Sequence, residues 1–149
     1  MRTHHHTFAA KIITLTMAAL VSTAGAVHAA DLVALSGKLS GVNEIPANTS
    51  SGQGTAEVTL DKDTNQLKWK VVYSDLSGPV GAGHFHGPAT ADKNAGVALG
   101  FKGAMESPIT GEATITPEQA KDLLAGKWYV NLHTKANPAG EIRAQVMPN

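Results

Sequence analysis

Two short stretches hold the residues best suited to chemistry: Gly83-His84-Phe85-His86-Gly87, and Tyr129-Val130-Asn131-Leu132-His133-Thr134 near the C-terminus. Imidazole is a ligand for both copper and zinc, and three of them leave an open coordination position for water or another ligand. Side chains on a strand alternate between faces, so extended backbone puts His84 with His86 on one face, and Tyr129 with Asn131 and His133 on another. If the two strands are neighbours, the three histidines converge on a copper or zinc site. Glu141, Asn131 or a backbone carbonyl would then hold a ring N–H from behind. The competing reading is that the histidines hydrogen-bond loop backbone and fix the turns at Gly83 and Gly87.

Two further charged residues accompany this set. Glu44 is expected to anchor the Ile45-Pro46 loop over the same face. Arg143 is either the partner of Glu141, Glu44 or a loop carbonyl, or a guide for a small anion. Other chemistry finds no support. The chain has no Gly-x-Ser-x-Gly elbow and no His-Glu-x-x-His helix, which leaves nucleophilic hydrolase and zinc-protease mechanisms without their parts. Nothing in the spacing brings two carboxylates together for glycoside hydrolysis. With no cysteine in the chain, disulfides, thiolate metal sites and cysteine nucleophiles are excluded.

The elements that must position these residues read as strands. From Leu32 onward the apolar period is two, broken at short intervals by turn residues. Leu35, Gly37 and Leu39 mark a first strand ending at Gly41, and the Ser-, Thr- and Gly-rich run after it is a loop. Ala56, Val58 and Leu60 mark a second strand, and Leu67, Trp69, Val71 and Tyr73 a third. Asp61-Lys62-Asp63-Thr64-Asn65 between them starts like a calcium loop. It lacks the glycine at the sixth position and the glutamate at the twelfth, where Gln66 and Val72 stand, so a turn is expected. The His84 strand is the fourth, Val97, Leu99 and Phe101 the fifth, and Ala113 and Ile115 the sixth. A short helix over about 116–125 follows, with Thr116 as N-cap, Pro117 in the first turn, Gln119 completing a capping box and Gly126 ending it. Trp128–Thr134 and Glu141–Val146 close the chain as a hairpin. Val130, Leu132, Ile142, Ala144 and Val146 form its core face, with Trp69 and Trp128 as packing. Tyr129, Asn131, His133, Glu141, Arg143 and Gln145 take the other face, where the segments 42–54 and 87–96 are placed to cover it.

The first 29 residues read as a secretory signal peptide. Arg2 and Lys11 precede the apolar run from Ile12 to Val21, and Val27 and Ala29 occupy the two small-residue positions before a cleavage site. The mature protein is then 30–149, a length suited to one domain, with 10 basic residues against 12 acidic ones. That balance, with no basic cluster, gives no electrostatic case for nucleic acid, and no membrane insertion is expected after cleavage. The expected location is periplasmic or secreted. His4, His5 and His6 leave with the leader.

Several motifs in order resemble the CHRD domain, the module named after chordin. They are Leu35-Ser36-Gly37, Glu44-Ile45-Pro46, Gly54-Thr55-Ala56, Leu67 to Tyr73, His84-Phe85-His86-Gly87-Pro88, Gly126 to Thr134 and Asn137 to Val146. The resemblance implies an exported all-β protein, an immunoglobulin-like or superoxide-dismutase-like Greek-key β-sandwich or barrel of about eight strands, with no generally assigned activity. A second, narrower resemblance is to copper–zinc superoxide dismutase, through the His-x-His pair and Ala139-Gly140-Glu141-Ile142-Arg143. It implies copper ligands at His84, His86 and His133 and an anion guide at Arg143. The chain departs from that family in having no fourth mature histidine, no histidine-rich zinc loop after His86 and no cysteine pair.

The leading expectation is therefore an exported metal-binding protein, for copper first, that handles the ion without turning over a substrate. The rival is an extracytoplasmic protein-interaction or structural module with structural histidines, whose partner would be another exported protein. A copper-dependent redox enzyme is the third reading.

Overall fold

The computed structural model describes residues 29–149, so all but the last residue of the expected signal peptide lies outside the described residues. Among the described residues the order is β1 (Leu32–Ser40), a short 3-10 turn (Gly41–Asn43), β2 (Gln53–Asp61), β3 (Gln66–Ser74), β4 (Val80–His86), β5 (Val97–Gly100), β6 (Ile109–Thr114), α1 (Pro117–Leu124), β7 (Trp128–Thr134) and β8 (Ile142–Pro148). The eight strands form one sheet in the order β5-β4-β7-β8-β1-β2-β3-β6. Every neighbouring pair is antiparallel. The fold is thus all-β, with one short helix, as the alternating pattern requires.

The alternation decides which side of each strand turns inward. Leu35 and Leu39 of β1, Ala56, Val58 and Leu60 of β2, and Leu67, Trp69 and Val71 of β3 are all buried. Four strands separate β3 from β4 in the sheet, yet the ring of Trp69 meets Phe85 edge to face at 5.5 Å. Trp69 also stacks on Phe101 at 5.2 Å. Only a sheet that curls strongly on itself brings these rings together, the natural outcome of strand twist acting over an apolar face. The sheet is a curled half-barrel, with β5 and β6 at its two edges.

The local signals at turns and helix ends act as their chemistry dictates. Asp61 Oδ1 accepts hydrogen bonds from the backbone N–H groups of Asp63 and Thr64, at 2.9 and 3.2 Å, which makes the β2–β3 connection an Asx turn. Thr116 Oγ1 accepts from the Gln119 backbone at 3.2 Å, and Gln119 Oε1 accepts from the Thr116 backbone at 2.9 Å, completing the capping box. Gly126 follows the helix in the left-handed region, at φ +68°. The sixth strand differs from the expectation. It begins at Ile109, which is buried and paired with Val71, and it ends before Ile115. Thr110, Gly111 and Glu112 carry no apolar alternation, so only pairing with β3 reveals them as strand.

The side of the β7–β8 hairpin that faces away from the apolar core is itself buried. Tyr129, Asn131, Glu141 and Arg143 are 3% exposed or less. Segments from both covering loops lie over them. Asn43 Nδ2 donates to the Arg143 carbonyl, and Asn48 Nδ2 to that of Glu141. Arg143 donates in turn to the Lys93 carbonyl. These polar ties give the sheet a second, hydrophilic interior beneath its loops. No helix among the described residues is long and apolar enough to cross a membrane.

Candidate metal centre

β4 and β7 are neighbours, and their register places His84 across from Asn131, His86 across from Tyr129 and Ala82 across from His133. Strand alternation then puts His84, His86, Asn131 and His133 on one face, two from each strand. The three imidazoles meet. One ring nitrogen from each lies within 4.8 Å of the others, and all three residues are half-buried. The closest pair is His84 Nδ1 and His133 Nε2, 3.1 Å apart.

Backbone carbonyls orient two of the rings. His86 Nδ1 lies 3.0 Å from the Ala95 carbonyl, and His133 Nδ1 3.0 Å from that of Pro138. A carbonyl oxygen can only accept, so in both rings Nδ1 carries a proton, and in the neutral form the lone pair is on Nε2. This is the arrangement that a second shell imposes on metal-binding histidine. His86 Nε2 is buried and has no hydrogen-bond partner. A buried acceptor left bare costs free energy comparable to a lost hydrogen bond. Burial lowers the pKa of His84, and the neighbouring His133 and His86 lower it further. Burial also lowers that of His86, outweighing the Ala95 hydrogen bond that favours its charged form. Both rings therefore favour the neutral, metal-competent state.

Tyr129, Asn94 and Lys93 support His86. The His86 and Tyr129 rings are stacked, with centroids 4.8 Å apart and planes within 2°. The Arg143 guanidinium carbon lies 3.5 Å from the centroid of the same phenol ring. Arg143 Nη2 donates to the Lys93 carbonyl at 2.7 Å, and Nη1 to Asn94 Oδ1 at 2.8 Å. The Ala95 N–H donates to the Tyr129 hydroxyl at 3.2 Å. Arg143 thus clamps the segment whose next carbonyl holds His86. Arg143 itself is buried, at 1% exposure. The Lys93 carbonyl is one of the partners expected for it, and the Glu44 carboxylate interacts with its charge as well.

Glu141 is placed elsewhere. Its carboxylate accepts from the Ser50 hydroxyl at 2.7 Å and from the Ser77 backbone and hydroxyl at 2.7 and 2.6 Å, with Thr134 as a further donor. These partners occupy it away from the histidine rings, so it staples the loops at Ser50 and Ser77 to the start of β8 and does not serve as a second-shell group. Burial alone would raise its pKa, but the donors from Ser77, Thr134 and Ser50 outweigh that and hold it down at about 2. Glu44 is buried, at 7% exposure. Burial pushes its pKa up to about 7, against the opposing influence of Arg143 and a hydrogen bond from Asn131.

Missed at the sequence level were the Ala95 and Pro138 carbonyls, Asn94, and the hydroxyl cradle of Ser50, Ser77 and Thr134. Backbone acceptors carry no side-chain signature, and isolated serines in loops are too common to single out.

A curled antiparallel half-barrel with a histidine cluster on its loop-covered face is the class these observations define. The family model for the CHRD domain matches residues 35–146, and the chain belongs to that family. No curated protein and no solved structure matches it.

Proposed function

We propose that this protein is an exported metal-binding module that holds one copper ion on His84, His86 and His133, buffering or handing on the ion without turning over a substrate. The observation that carries the reading is the convergence of three imidazole nitrogens, one of them the buried, unpartnered His86 Nε2. Imidazole donors suit copper and zinc alike, and at a shared nitrogen site copper(II) is favoured over zinc by the general affinity order of divalent ions. Export to the periplasm or the exterior is supported by the three-part leader pattern of residues 1–29.

The test is calorimetric titration of the metal-stripped full chain with copper(II) and with zinc(II). A background carrying His4→Ala, His5→Ala, His6→Ala and His28→Ala keeps the N-terminal histidines from contributing. One equivalent should bind to that protein, and none to a folded version that also carries His84→Ala, His86→Ala and His133→Ala. Equal binding by both proteins, or no binding by either, defeats the proposal.

A further inference from the structure

The histidine patch has a fourth corner. His84 and His86 on β4, and His133 on β7, are joined on the same face by Asn131, which sits directly across from His84. Asn131 is 3% exposed, and its Oδ1 lies 3.0 Å from His133 Nε2. His133 has its proton on Nδ1, held by the Pro138 carbonyl. In the neutral ring two lone pairs then face each other across 3.0 Å, an arrangement that favours a cation between them.

The other end of the amide lies beside the Glu44 carboxylate. Gly140 adopts φ +131°, and a Cβ there would fall 2.6 Å from Glu44 Oε1 and 2.8 Å from Asn131 Nδ2. The missing Cβ leaves room for the carboxylate and the amide nitrogen to approach one another. An acidic group beside the NH2 end turns the Oδ1 end toward the histidines.

We propose that Asn131 is a direct ligand of the metal centre, binding through Oδ1 and completing an N3O donor set with His84, His86 and His133. This rests on the three-histidine reading above and adds to it a donor and a geometry. With metal–ligand bonds of about 2.0–2.1 Å, donors at right angles are roughly 2.9 Å apart, and donors at tetrahedral angles roughly 3.3 Å. The observed 3.0 Å between Asn131 and His133 falls nearer the right-angled value, and the 3.1 Å between His84 and His133 lies midway between the two. Mixed N,O donors at right angles suit copper(II) or nickel(II) more than zinc(II).

The proposal is tested on the full chain in the same four-alanine background, with cobalt(II) and copper(II) as spectroscopic probes. Asn131→Cys offers a thiolate one bond nearer the backbone than the amide oxygen, the longer metal–sulfur bond of about 2.3 Å offsetting much of the difference, and a bound thiolate gives an intense sulfur-to-metal charge-transfer absorption with cobalt(II). Asn131→Asp keeps the shape and adds charge. It should shift the ligand-field band of bound copper(II) and tighten binding by about tenfold or more. The proposal is overturned if the background protein binds one equivalent while Asn131→Asp leaves the ligand-field band in place. It is equally overturned if a folded Asn131→Cys shows no charge transfer. In either case the three-histidine site stands, with Asn131 merely orienting His133. Failure of the background protein to bind any metal removes both readings together.

Discussion

The imidazole of His86 lies flat against the phenol ring of Tyr129, 4.8 Å between centroids and 2° between planes. The guanidinium of Arg143 lies 3.5 Å from the centroid of the same ring. Stacking alone gives such a pair about 1 kcal/mol. Its greater consequence is directional, because it fixes the plane in which the bare Nε2 of His86 can point.

Arg143→Met tests that support. The replacement keeps an unbranched apolar stem but removes the donors to Lys93 and Asn94 and the cation on Tyr129. Loss of charged hydrogen bonds from a buried site should cost about 2–3 kcal/mol in chemical denaturation. Release of the segment that orients His86 should weaken copper binding by roughly 10- to 100-fold. Unchanged affinity in a folded variant would mean that Arg143 serves stability alone.

Glu141 makes a separate, pH-dependent contribution. Its pKa is about 2 in the folded protein against an ordinary value of 4.5, so the unfolded chain binds the extra proton between those values. The stabilisation is fully present above about pH 4.5, amounts to roughly 3 kcal/mol, and disappears as pH falls toward 2. Thermal melts of the native chain and of Glu141→Gln should therefore differ most near neutrality and converge on acidification. A gap that stays constant down to pH 2 would contradict the role of this carboxylate.

Glu44 behaves in the opposite sense. Its pKa is raised to about 7 from 4.5, so between those values the folded protein holds the extra proton. Stability from this group is greatest at low pH and is lost as pH rises toward and through 7. Glu44→Gln, which mimics the protonated form, should match the native chain near pH 4.5 and exceed it by about 2–3 kcal/mol at pH 8. Equal stabilities at pH 8 would show that the ionised carboxylate is compensated in full.

Much of this fold is determined by the sequence alone. The period of two from Leu35 to Tyr73 assigns inward and outward positions on three strands. Thr116, Pro117 and Gln119 start the helix, and Phe85 between His84 and His86 ties both histidines to the face opposite the core. These are local effects of backbone geometry and apolar patterning, and they act over a few residues. The tertiary structure decided what local patterning cannot carry. The pairing of β4 with β7, between strands far apart in sequence, brings His133 to His84. The covering loops set charge and proximity: they fix which of its possible partners Arg143 takes, over the ring of Tyr129, and turn Glu141 from a companion of the histidines into the centre of a hydroxyl cradle. Electrostatic roles depend on which groups share a desolvated space, and that space exists only once the sheet has curled and the loops have closed over it.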